Sequence, residues 1–174
     1  MAKTKWYTPN EVSKIVAAAR KFVEASLAGK DCVTVGKVAH EPKIGGRCSQ
    51  FCREATEAGL GLAEHMLDGI MFGDPARQTA AILRAHGYSL GDTSDIRPGD
   101  LCYRPSGAPG HIFMYMGTDV PGHEGQMIFA ENTSVAGRGV PPRPGTKYTR
   151  RGAVAEGGIG KWTEVFRLTK PGGA

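Results

Sequence analysis

The sequence predicts an α+β domain in which helices come first and antiparallel strands follow. Two observations lead to this prediction. Apolar residues recur at helical spacing up to about residue 90, and short apolar runs between glycine- and proline-rich loops take over from about residue 98. The chain has 174 residues, which fits one domain with one core. We therefore expect a single domain over residues 1–174, with a helical half at about 8–90 and a strand half at about 98–170.

The first helix is predicted from about residue 9 to residue 27. Thr8-Pro9-Asn10-Glu11 has the pattern of a capping box with proline at the first helical position. Apolar residues follow on one face, at positions 12, 15, 16, 19, 22 and 23. Gly29 is expected to end the helix, and residues 30–46 are predicted to be a loop.

Two more helices are predicted before the strands. Apolar or thiol side chains at positions 48, 51, 52, 55 and 58 favour a helix that begins at Cys48 and stops at Gly59. Asp74-Pro75 is expected to cap a third helix that runs to Gly87. Residues 87–91 also match the Gly-x-Ser-x-Gly nucleophile elbow, but that serine must lie between a strand and a helix, so we interpret the segment as a turn.

The second half is predicted to contain strands at 101–104, 111–116, 126–130 and 162–168. The segment 111–116 is apolar on both alternating faces, as in a sheet that is covered on both sides. The segment from about 137 to 161 receives no element, and its prolines at 141–144 indicate a stiff surface loop.

The net charge of +5 favours a polyanionic partner, which is nucleic acid, an anionic membrane surface or an acidic cell wall. Nucleic-acid binding would be supported by clustered basic residues with interleaved aromatics. The only locally basic stretch, at Arg143, Lys147, Arg150 and Arg151, contains the single aromatic residue Tyr148. We therefore expect no nucleic acid as the main partner.

We also expect no membrane insertion and no secretory signal. The first residues are polar, and no run of about 18 apolar residues occurs. The protein is then expected to be cytoplasmic when it is made. Its four cysteines, Cys32, Cys48, Cys52 and Cys102, are expected to be reduced thiols.

Cys48 is the best candidate for a nucleophile. A helix start lowers the pKa of a thiol through the partial positive charge of its N–H groups, and Arg47 adds positive potential. Gly46 and its neighbour Gly45 would let a substrate approach closely. The first-turn N–H groups at Gly46, Arg47 and Ser49 are candidates for an oxyanion hole and substrate binding. The alternative is an ordinary core cysteine on one apolar stripe of the helix.

His111 is the candidate partner of this thiol. It follows Gly110 at the start of an apolar strand, where a histidine needs either a function or a structural hydrogen bond. A thiol at a helix start and a histidine at a strand start form the pair that thiol hydrolases use for general base and general acid catalysis. A third polar residue must orient the imidazole, and Glu131 and Asn132 follow the next predicted strand.

The sequence gives no support to a metal site, and no cofactor is expected. Cys48 and Cys52 have no second cysteine pair, and the five histidines show no zinc-binding spacing. His40 precedes the Cys48 segment, and we expect it either to line the cleft or to be a solvated loop residue.

Several segments together resemble the NlpC-type cell-wall peptidases. Residues 45–51, Gly-Gly-Arg-Cys-Ser-Gln-Phe, resemble the Gly-Gly-x-Asp-Cys-Ser-Gly-Phe nucleophile segment of that family. Residues 97–101 and 110–117 resemble its Pro-Gly-Asp-Leu and His-Val-Gly-Ile-Tyr-Ile-Gly strands, and residues 127–130 resemble the strand that follows. The order and approximate spacing agree from about residue 10 to residue 135.

The resemblance implies a papain-like fold of the NlpC and CHAP type, with the nucleophile on a helix start packed on an antiparallel sheet. It also implies hydrolysis of amide or peptide bonds in peptidoglycan through a thioacyl-enzyme. Two departures matter: Phe129 stands where NlpC-type enzymes usually have a second histidine, and Lys43-Ile44 replace their usual aromatic residues. The related CHAP amidases use glutamate or asparagine instead. Glu131 shares a strand face with Phe129, so Glu131 and then Asn132 are expected to orient His111.

We thus expect a peptidoglycan hydrolase, with bacterial peptidoglycan as its partner. In the expected absence of a secretory signal, it would reach the wall after release or delivery, as a phage endolysin or as a virion or injected hydrolase. Two alternatives stay open. One is an intracellular thiol amidohydrolase that acts on a non-wall amide, and the other is a non-catalytic module that binds wall or nucleic acid.

Overall fold

The computed structural model describes residues 6–86, 90, 95–105, 110–136, 139–150 and 163–170. In chain order the elements are α1 (Pro9–Leu27), β1 (Val33–Val35), β2 (Val38–His40), α2 (Cys48–Leu60), α3 (Ala76–Ala85), β3 (Leu101–Arg104), β4 (His111–Gly117), β5 (Ile128–Thr133), β6 (Gly145–Arg150) and β7 (Glu164–Phe166). The described residues thus form three helices, a five-stranded antiparallel sheet and a two-stranded sheet. The predicted α+β class is confirmed.

Helix α1 has the predicted bounds and the predicted cap. The Thr8 hydroxyl accepts a hydrogen bond from the Glu11 N–H at 3.1 Å, and the Thr8 N–H donates to the Glu11 carboxylate at 3.0 Å. Ile15, Phe22 and Val23 are fully buried on the inner face of the helix. The apolar spacing in the sequence therefore identified the face that packs on the rest of the molecule.

Helix α2 begins at Cys48 as predicted, but it does not stop at Gly59. It continues to Leu60, and its C-cap is Gly61, in the left-handed conformation with φ 70°. Gly59 lies inside the helix against α1, where an added Cβ would be 2.5 Å from the Cα of Ile15. Gly59 is thus a close-packing residue, and the prediction that it ends the helix is wrong.

Two other local predictions need correction. The expected loop at 30–46 contains the antiparallel hairpin β1–β2, whose three-residue strands are too short to show a clear alternating pattern. The N-cap of α3 is Pro75, without a side-chain hydrogen bond, so Asp74 does not cap the helix. Of the predicted turn at 87–91, only Leu90 belongs to the described residues. Within the described part of the chain, each helix is too short or too polar to cross a bilayer.

The five-stranded sheet has the order β6-β5-β4-β3-β7, and all neighbouring strands are antiparallel. Strand β5 covers Ile128–Thr133 instead of 126–130, so Glu131 and Asn132 lie inside the strand. Strand β7 is shorter than predicted. Strand β6 was not predicted at all, and it lies in the segment for which loop was expected.

The sheet is apolar on both faces, as the sequence of β4 indicated. Ile112 and Met114 belong to the larger core, which also contains Phe22 of α1 and Phe51 of α2. Side chains on the other face form a second cluster, which contains Cys102, Phe113, Tyr115, Phe129 and Val165. Residues two apart on a strand share a face, so His111 lies on the side of this second cluster.

Candidate active site

Two glycines turn the chain into helix α2 immediately before Cys48. Gly46 has φ 76°, a left-handed conformation that favours glycine. Gly45 lies against β5, where an added Cβ would be 2.4 Å from the carbonyl oxygen of Thr133. The sequence suggested that these glycines admit substrate, but the contacts of Gly45 are with the protein's own backbone. Together they place the half-buried Cys48 at the first position of α2.

A third glycine positions His111 at the start of β4. Gly110 has φ 68°, and a Cβ there would be 2.6 Å from the ring of Tyr103 on the neighbouring strand. The imidazole of His111 then stacks on Phe113, with ring centroids 5.5 Å apart and an interplanar angle of 26°. Stacking on Phe113 of the same strand thus already restricts the orientation of the imidazole.

Cys48, His111 and Glu131 come together in a row. His111 Nε2 lies 3.1 Å from Glu131 Oε1, and the Glu131 side chain is 5% exposed. The imidazole of His111 also interacts with the thiol of Cys48, and this interaction lowers the pKa of Cys48 and raises that of His111. Because Nε2 is engaged by Glu131, Nδ1 is the ring nitrogen available to the thiol. The arrangement is that of a nucleophile, a base and a residue that orients the base.

The electrostatics of this row favour a thiolate beside an imidazolium. Burial alone would raise the pKa of Cys48, but the hydrogen bond with His111, the N–H of Ile112 and the charge of His111 outweigh it and lower that pKa below its usual value. Burial alone would lower the pKa of His111, but its hydrogen bonds to Cys48 and Glu131 raise it to about 9. The two groups titrate as a pair, in which each charge stabilises the other.

Strand β6 supplies two further residues around Glu131 that sequence reasoning missed. The hydroxyl of Thr149 donates to Glu131 Oε2, and Lys147 is paired directly opposite Glu131 across the β5–β6 ladder. Burial lowers the pKa of Lys147, and the charge of Glu131 acts against this effect. The signal that was overlooked is the run Thr146-Lys147-Tyr148-Thr149, which is rich in residues that favour strands.

The burial of Lys147 also changes the interpretation of the basic stretch. Its side chain is fully buried, and its ammonium group donates to the carbonyl oxygen of Val135 at 3.1 Å. Arg143 donates to the carbonyl oxygen of Ser26 at the end of α1. Arg151 lies outside the described residues. Among the described residues of this stretch, Lys147 thus does not contribute to the basic surface, whereas Arg143 and Arg150 are exposed.

Asn132, the other candidate for orienting His111, lies elsewhere. It follows Glu131 on β5, so its side chain lies on the opposite face of the sheet. Its Oδ1 accepts from the N–H of Arg47 at 2.8 Å, and its Nδ2 donates to the carbonyl oxygen of Ile44 at 2.7 Å. The structure thus brings Glu131 to His111 and places Asn132 against the loop before Cys48.

The three residues expected to bind the oxyanion or the substrate, Gly46, Arg47 and Ser49, differ in burial and in their hydrogen-bond partners. The hydroxyl of Ser49 is buried and pairs with that of Thr79 at 3.0 Å, while the N–H of Ser49 helps to lower the pKa of Cys48. The N–H of Arg47 is taken by Asn132, and its guanidinium lies 3.3 Å from Glu41 at the surface. Gly46 is exposed. The N–H of Ser49 in the first turn of α2 and the N–H of Ile112 on β4 are therefore the backbone donors that act on the sulfur.

His40 and Phe129 are both packed in the interior. The expectation that His40 is a cleft or solvated residue is wrong, since it is 3% exposed and its Nδ1 lies 3.3 Å from Glu54 Oε2. Phe129 packs on Phe113 and Tyr115, with ring centroids 5.4 Å and 5.1 Å away. It thus extends the aromatic cluster on which His111 stacks.

The other three thiols differ from Cys48. All four cysteines belong to the described residues, and none of them forms a disulfide. Cys52 is fully buried, and burial raises its pKa well above the usual value. Cys102 is buried and Cys32 is exposed. Cys48 therefore differs from the other three in lying beside a histidine that is paired with a carboxylate.

No family model matches this chain, and no curated protein or solved structure matches it either. Within the residues that the structure describes, no three histidine, cysteine, aspartate or glutamate side chains are grouped as metal ligands. The function must therefore be argued from the chemistry of the site itself.

Proposed function

We propose that this protein is a cysteine peptidase or amidase that hydrolyses an amide or peptide bond in the wall peptide of peptidoglycan. One observation carries the proposal: Nε2 of His111 lies 3.1 Å from the buried carboxylate of Glu131, and the same imidazole interacts with the thiol of Cys48 and lowers its pKa. A buried carboxylate beside a histidine raises the basicity of the ring and fixes its orientation. Those are the requirements of a thiol hydrolase.

The reaction follows from the protonation states of the pair. The Cys48 thiolate attacks the carbonyl carbon, and the carbonyl oxygen becomes an oxyanion that the N–H groups of the first turn of α2 bind. His111 gives its proton to the leaving amine, the C–N bond breaks, and a thioacyl-enzyme remains. Neutral His111 then takes a proton from water, the hydroxide attacks the thioester, and the Cys48 thiolate leaves. Glu131 keeps the imidazole in place through both steps.

The architecture supports a papain-like enzyme of the NlpC and CHAP type. Helix α2 carries the nucleophile at its first residue and packs with β4 and β5, which carry the base and the carboxylate. The order cysteine, histidine, carboxylate along the chain is the order that the resemblance implied. A glutamate beside the imidazole, with Phe129 in place of a histidine, favours the CHAP-type arrangement.

The substrate class rests on the resemblance and on the charge of the chain. A net charge of +5 favours contact with an acidic cell wall. Together with the nucleophile segment, it makes peptidoglycan the proposed partner. We propose that the protein reaches the wall by release during phage-type lysis, as part of a virion or by injection.

Hydrolysis of purified peptidoglycan tests the proposal. Wild type, Cys48→Ser and the matched control Cys32→Ser, which changes an exposed thiol, are incubated with wall suspensions. We expect wild type and Cys32→Ser to reduce the turbidity and Cys48→Ser to leave it unchanged. Mass spectrometry of the soluble fragments then shows whether a peptide–peptide or a sugar–peptide amide bond was cut.

Two results would contradict the substrate proposal in different ways. If wild type leaves the wall intact while Cys48 still reacts rapidly with iodoacetamide, the enzyme acts on a non-wall amide. If Cys48 reacts no faster than Cys32 and the wall stays intact, a non-catalytic binding module becomes the better account.

A further inference from the structure

A buried network of hydrogen bonds holds the loop that precedes Cys48, and the proposed reaction does not use any of its members. The side-chain amide of Asn132 contacts two backbone groups of this loop, the N–H of Arg47 at 2.8 Å and the carbonyl oxygen of Ile44 at 2.7 Å. An N–H requires an acceptor and a carbonyl requires a donor, so these two partners fix which way the amide is turned. Asn132 is 1% exposed, and the bonds are therefore shielded from water.

The network continues from Asn132 through the core to helix α2. Asn132 Nδ2 also donates to Thr146 Oγ1 at 3.1 Å, and that oxygen lies 2.7 Å from Nε2 of the buried His40. His40 Nδ1 lies 3.3 Å from Glu54 Oε2, and the other oxygen of Glu54 accepts from Gln50 at 2.6 Å. The chain of contacts thus ends on the helix that Cys48 begins.

The donors and acceptors along this chain are consistent with one another. Thr146 receives a hydrogen bond from Asn132, which leaves its own O–H to donate to His40 Nε2. His40 then carries its proton on Nδ1 and donates it to Glu54. Asn132, Thr146 and His40 thereby each have a partner at both ends of the side chain, as a buried polar network requires.

Backbone contacts hold the same loop from β6. The N–H of Thr146 donates to the carbonyl oxygen of Pro42 at 2.8 Å. Gly145 lies so close to this point that an added Cβ would be 2.3 Å from the same oxygen. Pro42, Ile44 and Arg47 are therefore each tied to the ends of β5 and β6.

We propose that Asn132 is a positioning residue that fixes Cys48 in line with His111. Adjacent residues of β5 then hold the two reacting groups from opposite faces of the sheet: Glu131 orients the imidazole, and Asn132 anchors the loop that delivers the thiol. Thr146 and His40 hold Asn132 in turn. The catalytic meaning of this inference rests on the proposed function, whereas its effect on the Cys48 thiol can be measured without any substrate.

Alkylation of Cys48 by iodoacetamide, followed across pH by mass spectrometry, tests the inference. Asn132→Ala removes both loop contacts, and Thr146→Val removes the hydroxyl that Asn132 and His40 share. Thr56→Val is the matched control, because Thr56 is also fully buried and its hydroxyl donates to the carbonyl oxygen of Cys52 within α2. Thr146→Ser keeps the hydroxyl and serves as the conservative rescue.

We expect Asn132→Ala to lower the Cys48 alkylation rate at pH 6 by about tenfold or more and to move its pH profile toward that of an ordinary thiol. Where the thiol is mostly protonated, a rise of one in its pKa lowers the thiolate fraction, and hence the alkylation rate, about tenfold. Thr146→Val should act in the same direction with a smaller effect, and Thr146→Ser should restore the wild-type profile. Thr56→Val should keep the wild-type profile, whatever its unfolding temperature.

The inference is overturned if Asn132→Ala and Thr146→Val both retain the wild-type profile, or if Thr56→Val shifts it by the same amount. If Asn132→Ala does not fold, the comparison of Thr146→Val with Thr146→Ser decides. A wild-type protein that leaves peptidoglycan intact, together with a shifted Cys48 profile in Asn132→Ala, would refute the proposed substrate and support the positioning role.

Discussion

Replacing Glu131 with glutamine removes one negative charge from the site and leaves its shape nearly unchanged. The glutamine oxygen can still accept the hydrogen bond from His111 Nε2, and its amide group can meet the hydroxyl of Thr149. The variant Glu131→Gln therefore separates the charge of the carboxylate from its role in orienting the ring.

The size of the effect follows from the pKa of His111. Its rise from 6.5 to about 9 corresponds to about 3 kcal/mol, at about 1.4 kcal/mol for each factor of ten. Cys48 and Glu131 together produce this net rise and also offset the burial, which lowers the pKa, so we assign the carboxylate charge on the order of 1–2 kcal/mol. Because Glu131 is 5% exposed, solvent screens this charge only weakly. We expect the pKa of His111 to fall by about one and wall hydrolysis to fall by about 10- to 100-fold.

The assay is the pH profile of Cys48 alkylation, measured beside the rate of wall hydrolysis. In Glu131→Gln the profile should move to higher pH, because a less basic His111 stabilises the thiolate less. Thermal unfolding is recorded on the same samples, since Lys147 loses the negative charge opposite it on β6. A folded variant whose alkylation profile and hydrolysis rate both coincide with those of wild type would refute the role of the Glu131 charge.

Three further predictions follow from the contacts of the site and the core. Hydrolysis should require a deprotonated Cys48 and a protonated His111. The pH–rate profile should therefore rise at a pH below the usual pKa of a thiol and fall again above about pH 9. A rate that keeps rising above about pH 9 would contradict the ion pair. Thr149→Val removes the hydrogen bond to Glu131 and should reduce the rate of hydrolysis several-fold. Urea denaturation should show a free energy of unfolding that is lower by about 1 kcal/mol. A variant as active as wild type would argue against a role for this contact. Gly59→Ala would place a methyl group 2.5 Å from α1 and should destabilise the fold by about 1–3 kcal/mol, and an unchanged urea midpoint would mean that the helices separate easily.

Local rules in the sequence predicted the parts of the fold that depend on local contacts. The capping box at Thr8–Glu11 and the apolar spacing behind it identified α1 to its exact bounds. Cys48 was expected at a helix start, where the structure has it. The alternation of side chains along a strand indicated that Glu131 and Phe129 share a face, which is the face on which His111 lies.

Those local rules could not predict contacts between residues that are far apart in the sequence. Gly59 has the pattern of a helix stop, and only the nearness of α1 shows that its missing side chain is needed for packing. His40 has the pattern of a loop histidine, because its partners Glu54 and Thr146 are 14 and 106 residues away. Asn132 stayed a second candidate for the orienting residue, and its actual role could not be predicted, since the bounds of β5 and the contacts of each face depend on the whole sheet.

The rate of Cys48 alkylation relative to Cys32 at pH 6, measured on the native wild-type protein, tests the central claim most directly. Cys32 is exposed and serves as an internal reference, whereas Cys48 is half-buried and would react slowly if burial alone decided. The account predicts that Cys48 reacts about tenfold faster or more, because His111 and the start of α2 hold it as a thiolate. A Cys48 that reacts no faster than Cys32 would contradict the claim that this thiol is an activated nucleophile.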